Sequence, residues 1–421
     1  MTSTLRVAIV HAADAGGGAE RSVLGLHRGL RRRGHQSTMF VGERRTDELG
    51  VEAIPYARGV PGSRRLARAL EHRFGWQDIY NPSFRALGQR IRNHFDVVHF
   101  NSLWGSAGYA DIAALPLLTR EVPGVITLRE NWLLTGHCAC FDQCQGWRSG
   151  CGSCPDLERV PRIPRDGTRF NWLRKRRAIQ GADLHAVAIS DWLLRAVNES
   201  PIFAGKSMSR IYNGIDLGVF RPLDAEQRAR RRVELGIAAD EIGVLLAGQT
   251  VNGLNSFQAP RDARRILSGV PATARIRPLV IGPNANSFSV DLKGAVPLPF
   301  QHSPSDMATC YGIADLTLVT SEAEAFGRIA AESQGCGTPV VAFDTGGIPE
   351  VVIDGAGGRV VARGDIEGAI AAICELAEDP LLRSRMALIG IEHVRNLFDD
   401  DKVVDEYLNL YHQVLGRAAA A

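Results

Sequence analysis

Lysine is nearly absent from this chain. Lys175, Lys206, Lys293 and Lys402 are its four, so arginine supplies almost all of the 49 basic residues. We read that bias as genomic base composition rather than chemistry. The 46 acidic residues leave a formal charge of +3, too small for the electrostatic footprint of a nucleic-acid binder. No apolar run is long enough to cross a bilayer. The start, Met1-Thr2-Ser3-Thr4-Leu5-Arg6-Val7-Ala8-Ile9-Val10, lacks the charged opening, apolar core and small-residue cleavage site of a signal peptide. The expectation is a cytoplasmic protein whose cysteines stay reduced. Internal repeats and low-complexity tracts are missing too, apart from the terminal alanines.

What is present is an ordinary globular composition, 45% apolar and 23% charged over 421 residues, a length comfortable for two domains. Runs of the buried-strand type recur at Leu5–His11, Val97–Asn101, Val125–Leu128, Leu184–Ser190, Val244–Gly248, Leu279–Gly282 and Val340–Asp344. Helical patterns such as Ala19–Arg33 and Asp306–Ile313 lie between them. Alternation of this kind predicts an α/β chain of parallel, doubly wound sheets. Asn-Gly and Pro punctuate residues Asn213–Pro222, where the domain break is expected. Lys402–Gly416 carries apolar residues at helical spacing.

The most informative stretch runs from Ser321 to Val341. A β-rich segment, Leu316–Thr320, delivers the chain to the carboxyl edge of a sheet, where open α/β folds bind ligands. The turn Ala325-Phe326-Gly327 lets the backbone approach a ligand closely. The first N–H groups of the following helix then offer a phosphate site. Glu324, in the turn, can accept hydrogen bonds from sugar hydroxyls, and Glu332, along the helix, can reach a ribose diol. Two solvated acids on a surface helix would be the bland explanation of the glutamates alone. The Phe-Gly between them, in a strand–turn–helix context, favours function.

Glu324-x-Phe326-Gly327-x4-Glu332, followed by Gly337-Thr338-Pro339-Val340-Val341 and Gly346-Gly347-Ile348-Pro349-Glu350, resembles the donor-site signature of family 4 glycosyltransferases. Gly16-Gly17-Gly18-Ala19-Glu20-Arg21, Arg33-Gly34-His35, Asn213-Gly214-Ile215-Asp216 and Phe220-Arg221-Pro222 extend the resemblance over nearly the whole chain. It implies a retaining transferase of the GT-B fold, two facing Rossmann-like domains with a cleft between them. The expected acceptor domain is 1–215, the nucleotide-sugar domain 216–400, and 401–421 a helix crossing back to the first domain. The implied donor-binding residues are Gly17, Gly18, Phe326, Gly327, Arg328 and Glu332, with Glu324 as a catalytic residue and no catalytic metal.

Five of eight cysteines fall within seventeen residues, Cys138 to Cys154. Cys151-Gly152-Ser153-Cys154 is a turn from which two thiolates can face one ion. In a reducing compartment, ligand type and number suit a closed structural Zn²⁺ site of Cys138, Cys144, Cys151 and Cys154, with Cys140 and His137 surplus. Free thiols in a loop are the plain alternative, an iron–sulfur cluster a remote one. The run Trp132–Pro155 also resembles the cysteine-bearing loop of colanic-acid-type enzymes, which implies a saccharide or lipid-linked saccharide acceptor. Other family members use small polar acceptors such as aminocyclitols. Cys310, Cys336 and Cys374 read as core residues.

Two departures from the family pattern stand out. Arg129-Glu130 occupies the place of a His-Asp pair. A permanently charged guanidinium cannot act as a neutral acceptor or base there, so Arg129, the second catalytic candidate beside Glu324, is expected to meet a donor phosphate or a substrate carboxylate in preference to simple pairing with Glu130. The segment Gln249–Pro260 lacks the Arg and Lys-Gly that clamp the diphosphate, the next cation being Arg261. These losses keep a second reading open: a non-catalytic GT-B protein that binds a nucleotide sugar or glycan as a sensor or partner subunit. His11 and His99, at strand ends, read as core histidines. The basic runs Arg64-Arg65-Leu66-Ala67-Arg68 and Arg174-Lys175-Arg176-Arg177 read as solvated helix faces, the commoner outcome, with membrane contact the less favoured reading.

Overall fold

The computed structural model describes residues 4–55, 63–105, 108–247, 258–301 and 303–420. It divides into two compact units, residues 1–214 with 400–421, and residues 215–399.

In the first unit the described strands form one parallel sheet in the order β3-β2-β1-β4-β5-β6-β7. They are β1 (Arg6–Ala13), β2 (Gln36–Glu43), β3 (Val51–Ala53), β4 (Val97–Phe100), β5 (Gly124–Leu128), β6 (Leu184–Ala188) and β7 (Met208–Arg210). The central strands read as unbroken apolar runs because helices cover both faces, and every residue of β4, β5 and β6 is buried. The order reverses between β1 and β4, the switch point of a doubly wound sheet.

The second unit repeats the plan with β8 (Ile242–Leu246), β9 (Ile276–Ile281), β10 (Val296–Leu298), β11 (Leu316–Val319), β12 (Val340–Phe343) and β13 (Gly358–Val361). Their order is β10-β9-β8-β11-β12-β13, again parallel, reversing between β8 and β11. The expected α/β architecture of two doubly wound domains is what the chain adopts.

Residues 400–420 form a helix that belongs to the first unit. It lies against the helix Gly18–Arg32 so closely that a Cβ on Gly29 would strike the Val404 side chain. Arg33 donates to Asp405 (2.8 Å) and Asp401 (3.0 Å) across the same contact. Beneath it, Tyr411 Oη lies 2.7 Å from His99 Nδ1, His99 Nε2 2.7 Å from Thr127 Oγ1, and Thr127 Oγ1 3.0 Å from Tyr407 Oη. His99 is therefore a satisfied core histidine. Burial, with help from Arg129 and His11, holds it neutral by pushing its pKa well below 6.5.

Candidate active site

β11 ends at Val319 beside the switch point of the second sheet, and the chain then turns through Ser321–Gly327 before the helix Arg328–Gly335. Two glycines permit that turn. Gly327 has φ +102° at the helix start, and a Cβ there would come within 2.7 Å of Ile348 Cδ1. Gly346, at φ +58° in the loop after β12, packs against the backbone of Glu324, and a Cβ would overlap the Glu324 carbonyl oxygen. The next N–H, from Gly347, donates to that oxygen at 2.8 Å. Gly346→Ala is therefore expected to cost about 2 kcal/mol or more and to displace Glu324. Urea unfolding checks the first effect and nucleotide-sugar affinity the second.

Glu324 is half-buried. Desolvation pushes its carboxyl up to about 7, against hydrogen bonds from Ser321 and the Gly327 N–H that favour the charged form. Phe326 is buried and meets Phe398 edge-on at 5.2 Å, so it anchors the turn from beneath. Glu332 is 2% exposed. Its Oε1 accepts from Arg328 Nε (2.7 Å) and its Oε2 from Tyr311 Oη (3.2 Å). Arg328 and Glu332 are thus one i,i+4 ion pair. Sequence inspection missed that pairing, although the spacing displays it.

In the first unit Gly16-Gly17-Gly18 follows β1 and is exposed, with Gly17 capping the helix Gly18–Arg32. The Gly17 N–H is already engaged, donating to Glu20 Oε2 at 2.8 Å. A carboxylate of the chain itself occupies the place where an anion would bind.

Arg129 follows β5 and is 7% exposed. Its Nε donates to Asn101 Oδ1 at 3.0 Å and its Nη1 to Asn213 Oδ1. Ser22, Tyr212, Asn213, Asp400 and Tyr407 join it around a small hollow. Glu130 accepts from the backbone N–H of Trp132, and burial pushes it up to about 7. Among the described residues, His11, fully buried on β1, has no hydrogen-bond partner at either ring nitrogen, and the Asn101 Nδ2 is likewise unsatisfied. Burial, with the charge of Arg129, drives His11 down to about 3, so it is a neutral imidazole.

The zinc expectation is not supported by the loop's geometry. Among the described residues no three His, Cys, Asp or Glu side chains gather where one ion could be held. The thiols have other partners. Cys151 Sγ accepts from the Gly136 N–H at 3.2 Å, and Cys154 Sγ donates to the Asp156 carbonyl at 3.4 Å. Burial raises Cys138 to about 12 and Cys151 to about 11, which favours neutral thiols. The loop is instead ordered by its own contacts. Residues Gly150, Cys151, Gly152 and Ser153 all have positive φ, Phe141 stacks on Trp147 at 4.9 Å, and Gly152 N–H donates to Thr168 Oγ1 at 2.9 Å. Lys175 closes it from below, donating to the carbonyls of Trp132 (2.6 Å) and Thr135 (3.1 Å). That buried lysine, pushed down to about 7 by desolvation, was read from the sequence as part of a basic surface run. Of the segment Gln249–Pro260, where the diphosphate cations are missing, residues 249–257 lie outside the described residues.

Two glycosyltransferase family models match parts of this chain. The Glycosyltransferase Family 4 model matches residues 16–219, and the model for Glycosyl transferases group 1 matches residues 287–393. Among the relatives, a D-inositol 3-phosphate glycosyltransferase of Mycobacterium marinum is 31% identical over 225 residues, 49% of this chain and 45% of the relative. One of the same description from Thermobifida fusca is 30% identical over 261 residues, 56% and 58% of the two chains. The chain thus spans about half the length of the curated relatives it matches. Among solved structures, the sucrose-phosphate synthase of Thermosynechococcus elongatus superposes with a TM-score of 0.67 at 19% identity, over 98% of this chain and all of that one. HepE of Anabaena, in complex with UDP, gives 0.68 at 15% identity, over 97% and 100%. At these identities the superpositions establish the fold.

Proposed function

We propose that this chain is a retaining glycosyltransferase that moves a sugar from a nucleotide-sugar donor to a saccharide, lipid-linked saccharide or small polar acceptor such as an aminocyclitol. The observation that carries the reading is Glu324, a half-buried carboxylate on a turn that only glycines at 327 and 346 permit, at the carboxyl end of β11. In this reading Glu324 accepts hydrogen bonds from hydroxyls of the donor sugar. The N–H groups that open the helix Arg328–Gly335 face the diphosphate, and Glu332 takes the ribose diol. Charge builds on the departing diphosphate, and preorganised donors lower that barrier. Arg129 offers a fixed cation for a substrate phosphate or carboxylate. Zinc has no part in the reading, because the thiols as placed do not fit an ion.

Glu332 must exchange an existing partner to meet a ribose, since Arg328 and Tyr311 now hold it. Glu332→Ala should weaken nucleotide binding about tenfold, the loss of roughly one charged hydrogen bond, with a smaller change in turnover. Isothermal titration with nucleoside diphosphates checks this, and unchanged affinity would remove Glu332 from the site.

The second reading, a nucleotide-sugar-binding protein without turnover, is favoured by the Glu20 carboxylate already seated on the Gly17 N–H. A thermal-shift screen of nucleotide sugars, followed by hydrolysis and transfer assays with product anomers read by NMR, separates the two. Binding without turnover over a broad acceptor panel would select the second reading. Absence of binding to any nucleotide sugar would sink both.

A further inference from the structure

A cleft of about 400 Å³ opens on the first unit between the helix Pro82–His94 and residues 117–122. Both walls lead into amino ends of strands, the helix into β4 and the segment into β5. The candidate active site lies beyond carboxyl ends, and none of the residues placed there lines this cleft.

Small residues make the space. Ala86 and Gly88 lie on the helix wall, and a Cβ on Gly88 would only reach ordinary contact, 3.7 Å from Leu117 Cγ. Leu118 and Val122 are buried in the opposite wall, while Leu117 remains 49% exposed. A concavity of this volume has the size of small-molecule sites.

Three guanidinium groups border it. Arg85, Gln89 and Arg92 are spaced i, i+4, i+7 and so share one helix face. Arg120 belongs to the other wall. Arg85 Nε donates to Oδ2 of the buried Asp111 at 2.7 Å, with its guanidinium 5.4 Å from the centre of the Tyr80 ring. Arg92 Nη1 donates to Glu121 Oε1 at 3.0 Å. The other N–H groups of both, and the whole head of exposed Arg120, have no hydrogen-bond partner among the described residues.

Three cations against two carboxylates leave a positive excess. The free N–H groups suit an oxyanion that takes several donors at once, and a phosphate monoester has three such oxygens. No aromatic ring lines the cleft, so a nucleotide base would have nothing to stack on. The Gln89 amide and the second oxygen of Glu121 can instead pair with hydroxyls, and Leu117 can cover a C–H face. We propose that this cleft binds a phosphorylated monosaccharide, at a site separate from that of sugar transfer.

Isothermal titration of the full chain with glucose 6-phosphate, glucose 1-phosphate and mannose 6-phosphate tests it. Glucose, inorganic phosphate and a phosphoserine peptide are the comparisons. At least one sugar phosphate should bind, each comparison should bind at least about tenfold more weakly, and excess UDP should leave the binding unchanged. Arg120→Glu removes a side chain with no other partner. It should lower affinity about tenfold or more at an unaltered melting temperature. Gly88→Leu changes no charge and improves a helix position. Its side chain should fill the cleft and abolish binding, with a melting temperature at or above wild type, so it separates the cleft from general electrostatic attraction. Absence of binding to all three sugar phosphates, displacement by UDP, or binding that survives both variants would overturn the proposal. So would equal or tighter binding of inorganic phosphate or the peptide, since the sugar would then have no part in recognition.

Discussion

Glu324→Ala should lower turnover by about a hundredfold while nucleotide affinity stays within a few-fold of wild type. Removal of one preorganised group that acts on the reacting sugar typically costs that much, and in the proposed reading the partner of Glu324 is the sugar, not the nucleotide. Glu324→Gln sharpens the test. Its amide oxygen can still accept from the Gly327 N–H, so the turn should persist and any lost turnover traces to the charge. The carboxyl titrates near 7, and its hydrogen-bond acceptance is strongest when ionised. Wild-type activity should therefore fall as pH drops through 7, and the Gln variant should lack that limb. Stability moves the opposite way. Desolvation raises the folded-state pKa from its ordinary 4.5 to about 7, so the folded chain binds the extra proton. The contribution is fully present below pH 4.5, declines between 4.5 and 7, and is gone above. The melting temperature of Glu324→Gln should thus gain on wild type as pH rises from acid to neutral. A flat difference in melting temperature with pH, joined to wild-type turnover, would remove Glu324 from its assigned role.

Arg129→Ala should be the most damaging change in the first unit. The guanidinium bridges Asn101, beyond β4, and Asn213, at the end of the unit, from a position almost closed to water. Truncation leaves two buried amide oxygens without that donor, and unsatisfied groups of this kind cost about 1–3 kcal/mol each. Arg129→Lys should not rescue it, because one ammonium cannot reproduce a fork that reaches two acceptors. Arg129→His should also fail to make a more ordinary transferase, since a mostly neutral imidazole replaces a fixed charge. Chemical denaturation measures the structural loss. Steady-state kinetics with saturating donor and acceptor measures the substrate role, and an effect confined to stability would reduce Arg129 to scaffold. Wild-type behaviour in both would discard the assignment altogether.

The two sheets were readable because their central strands are buried on both faces, and such strands appear in sequence as continuous Val, Ile, Leu and Ala. The edge strands were not. β3, β7 and β10 are three residues each, and Met208-Ser209-Arg210 is only half-buried, so neither length nor hydrophobicity marks them. In the candidate site, the spacing of Glu324, Gly327 and Glu332 was visible because the turn imposes it locally. The restraint by Gly346 was quoted as a motif, but its contact with the Glu324 backbone depends on how the loops after β11 and β12 meet. Partners far apart in the chain escaped entirely. The hydrogen bond between Tyr411 and His99 spans 312 positions and the one between Tyr407 and Thr127 spans 280, and no periodicity announces them. The cysteine cluster misled for a related reason. Density suggested convergence on an ion, but among the described residues no three such side chains gather where one ion could be held, and Cys151 and Cys154 have hydrogen-bond partners in neighbouring peptide groups.

The helix Asp400–Ala420 has a temporal consequence. Val403, Val404, Tyr407, Leu410, Tyr411 and Val414 belong to the same core as Val7, Ile9, Leu26 and Val97, yet residues 215–399 are translated in between. While a ribosome makes the second unit, the first waits with that wall of its core missing and the His99–Thr127 pair open to water. The second unit needs no such late piece, since its strands and helices come from one uninterrupted stretch. Order of synthesis and order of completion are therefore inverted: the domain that starts first closes last.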